Sequence, residues 1–379
     1  MRIAVLGGGP AGLYFSYLWK KRHPTAHIDL FEQNPGDVTW GFGVVFSDRA
    51  LDFLRTDDPQ TADFIAPHME SWQDMTLVHR GQRVTVDGIG FSAIGRLDFL
   101  TLLQQLVHSV GVEPHFNCAL YSLDELQGYD LIVAADGVNS LVRRSFEADF
   151  KTSCSYADNK FAWYGTTKPF DTLTQTFVET DRGTFNSHHY RYSKTMSTFI
   201  VECDRATWER YEFATKSVEE SAVICQDVFA DTLDGHPLIS NRSVWRNFPW
   251  IWNDVWSLGN KVLVGDALRT AHFSIGSGTR LAMEDVIALV KAIESNGNDL
   301  KTALAQYESA RRPIVEKLVK ASKTSAGWYE HFPEHMALAP IDFAYSYIVR
   351  SGRVDNDRLR AMSPKFMAQY DAAHPHVAA

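Results

Sequence analysis

Ile3-Ala4-Val5-Leu6-Gly7-Gly8-Gly9-Pro10-Ala11-Gly12 opens the chain and decides how its first domain folds. Four apolar residues make a short buried strand, the glycines break it, and Leu13 to Lys21 continue as a helix. Ile28-Asp29-Leu30-Phe31 is the second strand, so the first 32 residues form one βαβ unit. Gly7 permits the tight turn, Gly9 lets the backbone approach a pyrophosphate, and Gly12 lets the helix pack closely on the strand. Pro10 and Ala11 complete this phosphate-binding turn, and the phosphates sit at the positive end of the helix. Glu32, twenty residues after Gly12, is placed to accept hydrogen bonds from both hydroxyls of an adenosine ribose, which selects against a 2′-phosphate. Gly88-Ile89-Gly90 has Ala93 where a third glycine belongs and reads only as a strand turn.

Two later stretches have the same shape. Tyr129 to Ala135 is an apolar strand that breaks at Asp136-Gly137, and a helix start follows with Ser140 as cap. Lys261 to Val264 is a strand that breaks at Gly265-Asp266, and Gly276-Ser277-Gly278-Thr279 precedes a helix with Ala282, Val286, Leu289, Val290 and Ile293 on one face. Each alone is an ordinary strand-to-helix turn. The three in this order fit FAD lying extended across one domain.

Composition bounds the rest. With 379 residues, 45% hydrophobic and 22% charged, the chain can bury a large core and divide into two domains. A formal charge of -9 argues against a nucleic-acid binder, which needs a basic face. Cys118, Cys154, Cys203 and Cys225 are far apart, so neither a disulfide framework nor a zinc ribbon is indicated, and a cytoplasmic protein is expected. The glycines interrupt any signal-like run at the start, and no apolar run is long enough to span a bilayer. His331-Phe332-Pro333-Glu334-His335 mimics a zinc helix, but Pro333 breaks the turn, and no metal is expected.

Between Lys151 and about Trp252 the texture changes. Phe161, Trp163, Phe177, Phe185, Tyr190, Tyr192 and Phe199 recur in alternating runs, which predicts an antiparallel sheet. Ala206 to Gln226 reads as one helix on its outer face, and the chain becomes helical after Arg311-Arg312-Pro313. The fold class is therefore α/β: a discontinuous Rossmann-like FAD-binding domain (1–150 plus 253–320), an inserted antiparallel β-sheet substrate domain (151–252), and a helical C-terminus (321–379). An excursion at 70–92 joins the substrate sheet.

At these residues the chain resembles the single-component FAD-dependent aromatic hydroxylases, the para-hydroxybenzoate hydroxylase class, over nearly its whole length. By that resemblance Asp266 binds the ribityl chain, and Gly276 to Thr279 aim helix N–H groups at the flavin pyrimidine. Asp136 and Gly137 lie under the cofactor, with a part in admitting NADH or NADPH, and Arg96 starts a helix near the FAD phosphates. The runs Trp40 to Asp48, Ala271 to Thr279 and Ile341 to Arg353 look like salicylyl-CoA 5-hydroxylase and the flavin domain of 2-aminobenzoyl-CoA monooxygenase. Asn159 to Thr166 and Met196 to Cys203 also resemble the violacein-pathway hydroxylase, which acts on a tryptophan-derived indole. Where many members of the class carry Gly-Asp-Ala-Ala-His and later a proline, this chain has Gly265-Asp266-Ala267-Leu268-Arg269 and Phe273.

The resemblance implies hydroxylation of an activated aromatic ring by O2 through a flavin C4a-hydroperoxide, with NAD(P)H as transient reductant. Salicylyl-CoA is the first substrate candidate and a free indole or other aromatic the alternative; the protein is expected as a monomer or homodimer. Such chemistry calls for a histidine of near-neutral pKa to take a ring proton. His272, His188 and His189 are candidates by type, with His272 beside Phe273 preferred, and Tyr164 and His189 are named for the substrate pocket. Arg353, Arg358 and Arg360 are placed to meet coenzyme A phosphates. Trp250-Ile251-Trp252 begins the W-x-W-x-I-P pattern of flavin halogenases, but Asp254-Val255 stand where Ile-Pro belong. A nicotinamide dehydrogenase using only the first βαβ unit would leave Gly265 to Thr279 unexplained, and a non-enzymatic FAD-binding module differs in that substrate would not accelerate NAD(P)H oxidation.

Overall fold

The computed structural model describes residues 1–47, 52–297 and 299–375, which leaves Asp48 of the Trp40 run outside the described residues. Among these residues the strands form three sheets. One is five-stranded, with four parallel neighbours in the order Lys261–Leu263, Leu131–Ala134, Arg2–Leu6 and His27–Phe31, the last of them at the edge. All four residues of Leu131–Ala134 are buried, as a parallel strand covered on both faces requires. The helix Pro10–Arg22 is buried without interruption from Ala11 to Trp19 because it is sandwiched, packing on the helices Gly278–Ser295 and Arg96–Ser109. Its exposed end carries Lys20, Lys21 and Arg22, which complement the carbonyl end of the helix dipole.

The second sheet is eight-stranded and almost wholly antiparallel. Thr152–Thr166, Ser197–Cys203, Gly183–Arg191 and Leu173–Thr180 are successive neighbours, and the hairpin Met75–His79/Gln82–Val86 extends it through a parallel pairing with Leu173–Thr180. Arg246–Asn253 pairs along Thr152–Thr166. A third sheet has three strands, Gly43–Ser47, Phe91–Gly95 and Glu70–Trp72, with Phe91–Gly95 in the middle.

Two helical expectations change. The segment predicted as one helix from Ala206 to Gln226 is broken into Arg205–Arg210 and Val218–Val228. Glu212 takes a left-handed conformation (φ 55°) that no helix interior accepts, and Ser217 restarts the helix with a capping box to Glu220. Pro313 does not mark a boundary either: it lies inside the helix Leu300–Glu330. The segments Pro340–Val349 and Pro364–Ala373 pack on the Met75–Val86 hairpin, and Trp328 of the long helix joins the same core with Phe177, Phe343, Tyr347 and Phe366.

Candidate active site

Three of the quoted turns lie at the carboxyl ends of adjacent parallel strands, which is why segments far apart in sequence meet. Gly7 follows Leu6, Asp136 follows the strand ending at Ala134, and Gly265-Asp266 follows the strand ending at Leu263. This is where open α/β sheets hold their ligands. The packing leaves no freedom at the glycines. A Cβ on Gly12 would lie 2.0 Å from Gly7 O, and one on Gly7, itself at φ +100°, would lie 2.4 Å from Ala135 O. Gly9, by contrast, has open space where its Cβ would be, so the phosphate-facing side of the turn is clear.

Several groups there have capacity left for a ligand. Pro10–Arg22 starts at Gly9 with no side-chain cap, and so does Gly278–Ser295 at Ser277, whose hydroxyl instead donates to Ile275 O at 3.0 Å. Both helices therefore present free N–H groups. Gly276, left-handed at φ +57°, turns the chain into the second of them, and Gly278 and Thr279 are its first two residues. Glu32 Oε2 accepts from Gly8 N at 2.7 Å, and Oε1 from Asn34 N and Nδ2 at 2.8 and 2.7 Å, which fixes the carboxylate at the end of the second strand. Asp136 Oδ2 caps the short helix at Leu141 N (2.7 Å), while Oδ1 is buried without a partner. Burial raises the Asp136 pKa against the pull of Ser140 and the Leu141 amide.

Asp266 is exposed in a run, Val262 to Thr270, that is otherwise buried. The protein packed around its carboxyl raises its pKa by desolvation; Arg269 and Arg96 pull the other way. The turn beneath it is clamped by a buried ion pair. Arg269 Nη1 donates to Gly265 O at 2.8 Å and Nη2 to Asp285 at 2.6 Å, and Asp285 also accepts from Arg311 Nε at 3.1 Å. Arg269 thus stands where the wider class has histidine and ties the turn to two helices. Arg96 opens its helix as expected, its Nε donating to Thr39 Oγ1 at 3.0 Å. It lines a cleft of about 300 Å³ with Thr39, Gly41, Asp98, Tyr192 and Asn241.

The large sheet brings His188 and His272 to one side and sends His189 and Tyr164 to the other. Consecutive residues of Gly183–Arg191 point to opposite faces. His188 meets Phe273 edge-on at 5.3 Å, and Phe161 lies 4.9 Å from Phe273. His189 stacks on Phe199 at 5.1 Å and pairs with Thr176 Oγ1 at 2.9 Å. Tyr164 belongs to the same outer-face core with Phe199, Cys225 and Phe229, and its buried hydroxyl has no hydrogen-bond partner among the described residues. The expectation that Tyr164 and His189 line the substrate pocket is corrected accordingly: register with Phe199 puts both under the outer helices.

On the inner face lies a group that the sequence reading missed. Glu202, 1% exposed, accepts from His188 Nε2 at 3.2 Å and from Asn159 Nδ2 at 2.9 Å. Gln175 Nε2 pairs with His188 Nδ1 at 3.0 Å, and Tyr329 OH reaches Gln175 at 3.3 Å and Tyr347 OH at 2.9 Å. Burial alone would raise the Glu202 carboxyl, but His188 and the nearby His272 hold it below its ordinary value. Burial lowers His188 despite Glu202. The overlooked signal was a carboxylate in the otherwise apolar strand Ser-Thr-Phe-Ile-Val-Glu-Cys, since a lone charge is rarely buried without a partner.

His272 is enclosed by Phe248 at 4.7 Å, Trp250 at 5.9 Å and Phe273 at 4.1 Å. Burial pushes its pKa down to about 4, which keeps the ring neutral at neutral pH. Its Nδ1 accepts the Ser274 amide at 3.3 Å, which places the proton of the neutral ring on Nε2. His272 therefore offers a donor.

The FAD binding domain family matches residues 128–322, a span that runs from the strand before Asp136 into the helix Leu300–Glu330. The chain is 39% identical over 361 residues to salicyloyl-CoA 5-hydroxylase of a Streptomyces species, covering 93% of this chain and 70% of that protein. The chain belongs to the FAD-dependent aromatic monooxygenases. A second relative of this monooxygenase, 3-hydroxy-4-methyl-anthranilyl-(aryl-carrier protein) 5-monooxygenase of Streptosporangium sibiricum, is 35% identical and covers 88% of this chain and 90% of its own. Protodeoxyviolaceinate monooxygenase of Chromobacterium violaceum is 34% identical over 92% of this chain and 94% of its own. The fold is also that of solved 2-methyl-3-hydroxypyridine-5-carboxylic acid oxygenase, with a TM-score of 0.70, 18% identity and coverage of 95% and 96% of the two chains. No helix among the described residues is long and apolar enough to cross a membrane.

Proposed function

We propose that this monooxygenase hydroxylates an aromatic acyl thioester, with salicyloyl-CoA and its ring position 5 as the leading case. Two of the three relatives above carry their aromatic acid on a coenzyme A or carrier-protein thioester by name, which supports that substrate class. The reaction balances as aryl–H + O2 + NAD(P)H + H⁺ giving aryl–OH + NAD(P)⁺ + H2O. The observation that carries the reading is the inner-face cluster: aromatic side chains around a buried carboxylate–histidine pair, among them Phe273 in the loop that leads into an uncapped helix start.

Gly7, Gly9, Pro10, Ala11 and Gly12 would hold the FAD pyrophosphate at the first helix, and Glu32 the adenosine ribose. Asp266 is free to bind the ribityl hydroxyls, with Arg96 beside it; Asp136 and Gly137 form the floor. Gly276, Ser277, Gly278 and Thr279 would turn the second helix start toward the ring system. Bound there, FAD accepts hydride from NAD(P)H and activates dioxygen.

The chain's own residues supply the rest. Phe161, Trp163 and Phe273 exclude water, which is needed because stray water diverts reduced oxygen to hydrogen peroxide. His272 donates its Nε2 proton to the ring oxygen of the substrate and steadies negative charge as it develops. His188 and the ionised Glu202 form the polar wall that keeps His272 oriented. In an assay of purified holoenzyme with NADH, salicyloyl-CoA and ¹⁸O2, one labelled oxygen should enter the thioester product. NADH oxidation that salicyloyl-CoA does not accelerate, or a thioester of unchanged mass, would reject the substrate.

A further inference from the structure

The sequence grouped Arg353, Arg358 and Arg360; the fold regroups them. Arg360 lies against Asp371 through both guanidinium nitrogens, Nη2 at 2.9 Å, and is neutralised. Arg353 and Arg358 are exposed, and neither forms an ion pair among the described residues. Arg358 Nη1 donates to Arg353 O at 3.2 Å, which draws the two together.

Their position is set by Arg350. It ends the helix Pro340–Val349, donating to Ser274 O at 2.8 Å and to Ser325 Oγ at 3.0 Å. The following residues are thereby held beside the loop that leads into Gly278–Ser295, whose third residue is Arg280. Arg280 is half satisfied by Glu284 at 2.7 Å. Arg353, partly desolvated, feels both Arg280 and Arg358, and its pKa falls below the ordinary guanidinium value. Arg280 and Arg358 thus crowd positive charge on Arg353, while Glu284 is shared between Arg280 and Arg311 and Asp355 is engaged at the Arg358 amide, so an added anion relieves the repulsion. Planar guanidinium forks match phosphate oxygens in particular.

A thioester substrate with its ring beside His272 must lead its carrier outward to solvent. Arg280 follows Thr279 directly, in the first turn of the helix that the His272 loop leads into. We propose that Arg280, Arg353 and Arg358 bind the phosphates of the coenzyme A that carries the aromatic acyl group. This rests on the thioester reading above.

The test uses full-length holoenzyme carrying Arg353→Gln and Arg358→Gln together, with Arg280 left in place. The KM for salicyloyl-CoA and the Kd for desulfo-CoA should both rise about tenfold or more, as lost charge-assisted contacts imply. FAD content, kcat and the KM for NADH should stay as in the parent. If the parent hydroxylates the thioester and the variant keeps both the KM and the desulfo-CoA affinity, the arginine site is rejected and the substrate reading stands. A rise confined to the KM for NADH also rejects it, assigning the cations to the reductant. If the parent neither turns over salicyloyl-CoA nor binds desulfo-CoA, both readings fall together.

Discussion

The two faces of the large sheet each bury a histidine, and they come from consecutive residues. His188 faces inward, hydrogen-bonded to Glu202 and Gln175; His189 faces outward, stacked on Phe199 and bonded to a threonine hydroxyl. Burial is nearly equal, at 5% and 1% exposed, so burial does not separate the working face from the supporting one. Charge does. The inner face places an ionised carboxylate out of water, which costs several kcal/mol unless paired, whereas the outer face is apolar packing with one neutral polar contact. Desolvation lowers the pKa of both histidines, and only His188 has a carboxylate pulling it back.

Removing the inner charge should give the largest effect. Glu202→Gln keeps shape and one hydrogen-bond acceptor but deletes the anion that faces His188 and His272. Hydroxylation should fall roughly 10²-fold, the low end for polar groups acting at a reacting centre, while NADH oxidation continues and releases hydrogen peroxide. Product and peroxide measured per NADH give the answer. Coupling at the parent level would mean that the inner face is supporting structure like the outer one.

The second effect is on acid stability and belongs to His272. Its folded pKa of about 4 lies below the unfolded value of about 6.5. Below pH 6.5 the unfolded chain binds the proton first, so the stability contribution is full above that pH and is lost as pH falls toward 4. The loss amounts to at most roughly 3 kcal/mol. Urea denaturation from pH 7 to 4 should therefore show a shallower decline for His272→Gln than for the parent. Equal slopes would remove the case for a neutral, buried His272.

The glycine turns were far more legible in the sequence than the inner-face cluster, for a physical reason. Glycine turns and apolar runs are local: Gly7 to Gly12, Asp136-Gly137 and Gly265-Asp266 each announce a strand end, and parallel pairing of those strands then brings them together. Which face of an antiparallel strand looks inward is not local. His188 and His189 differ by one position, and a register shift of one residue would exchange them. Tyr164 was chosen for the pocket when its neighbour Trp163 faces inward, for the same reason. Glu202 was readable as a buried carboxylate, but its partners Asn159 and His188, and Tyr329 and Gln175 bonded to those, come from separate elements. The helical break at Glu212 rests on one left-handed residue that composition does not reveal.

On the outer face, His189→Phe should leave hydroxylation within about twofold of the parent. It keeps the stacking on Phe199 and Phe170 but strands the Thr176 hydroxyl. A cost of about 1 kcal/mol follows, the ordinary value for one unpaired buried hydroxyl. A drop in coupling comparable with that of Glu202→Gln would erase the distinction between the faces.

The smallest change sharpens the comparison most, because its sign is informative. Tyr164 is fully buried, and its hydroxyl has no hydrogen-bond partner among the described residues, in a core it shares with Phe185, Phe199, Cys225 and Phe229. An unpaired buried hydroxyl carries a desolvation penalty with no return, and Phe has the same outline. Tyr164→Phe should therefore be neutral or stabilising by up to about 1 kcal/mol in urea unfolding, with kcat and KM for the aromatic substrate unchanged. A substrate-pocket tyrosine would behave in the opposite way, losing affinity or coupling with no gain in stability. Such a loss would place Tyr164 on the working face and invert the assignment of the two sides of the sheet.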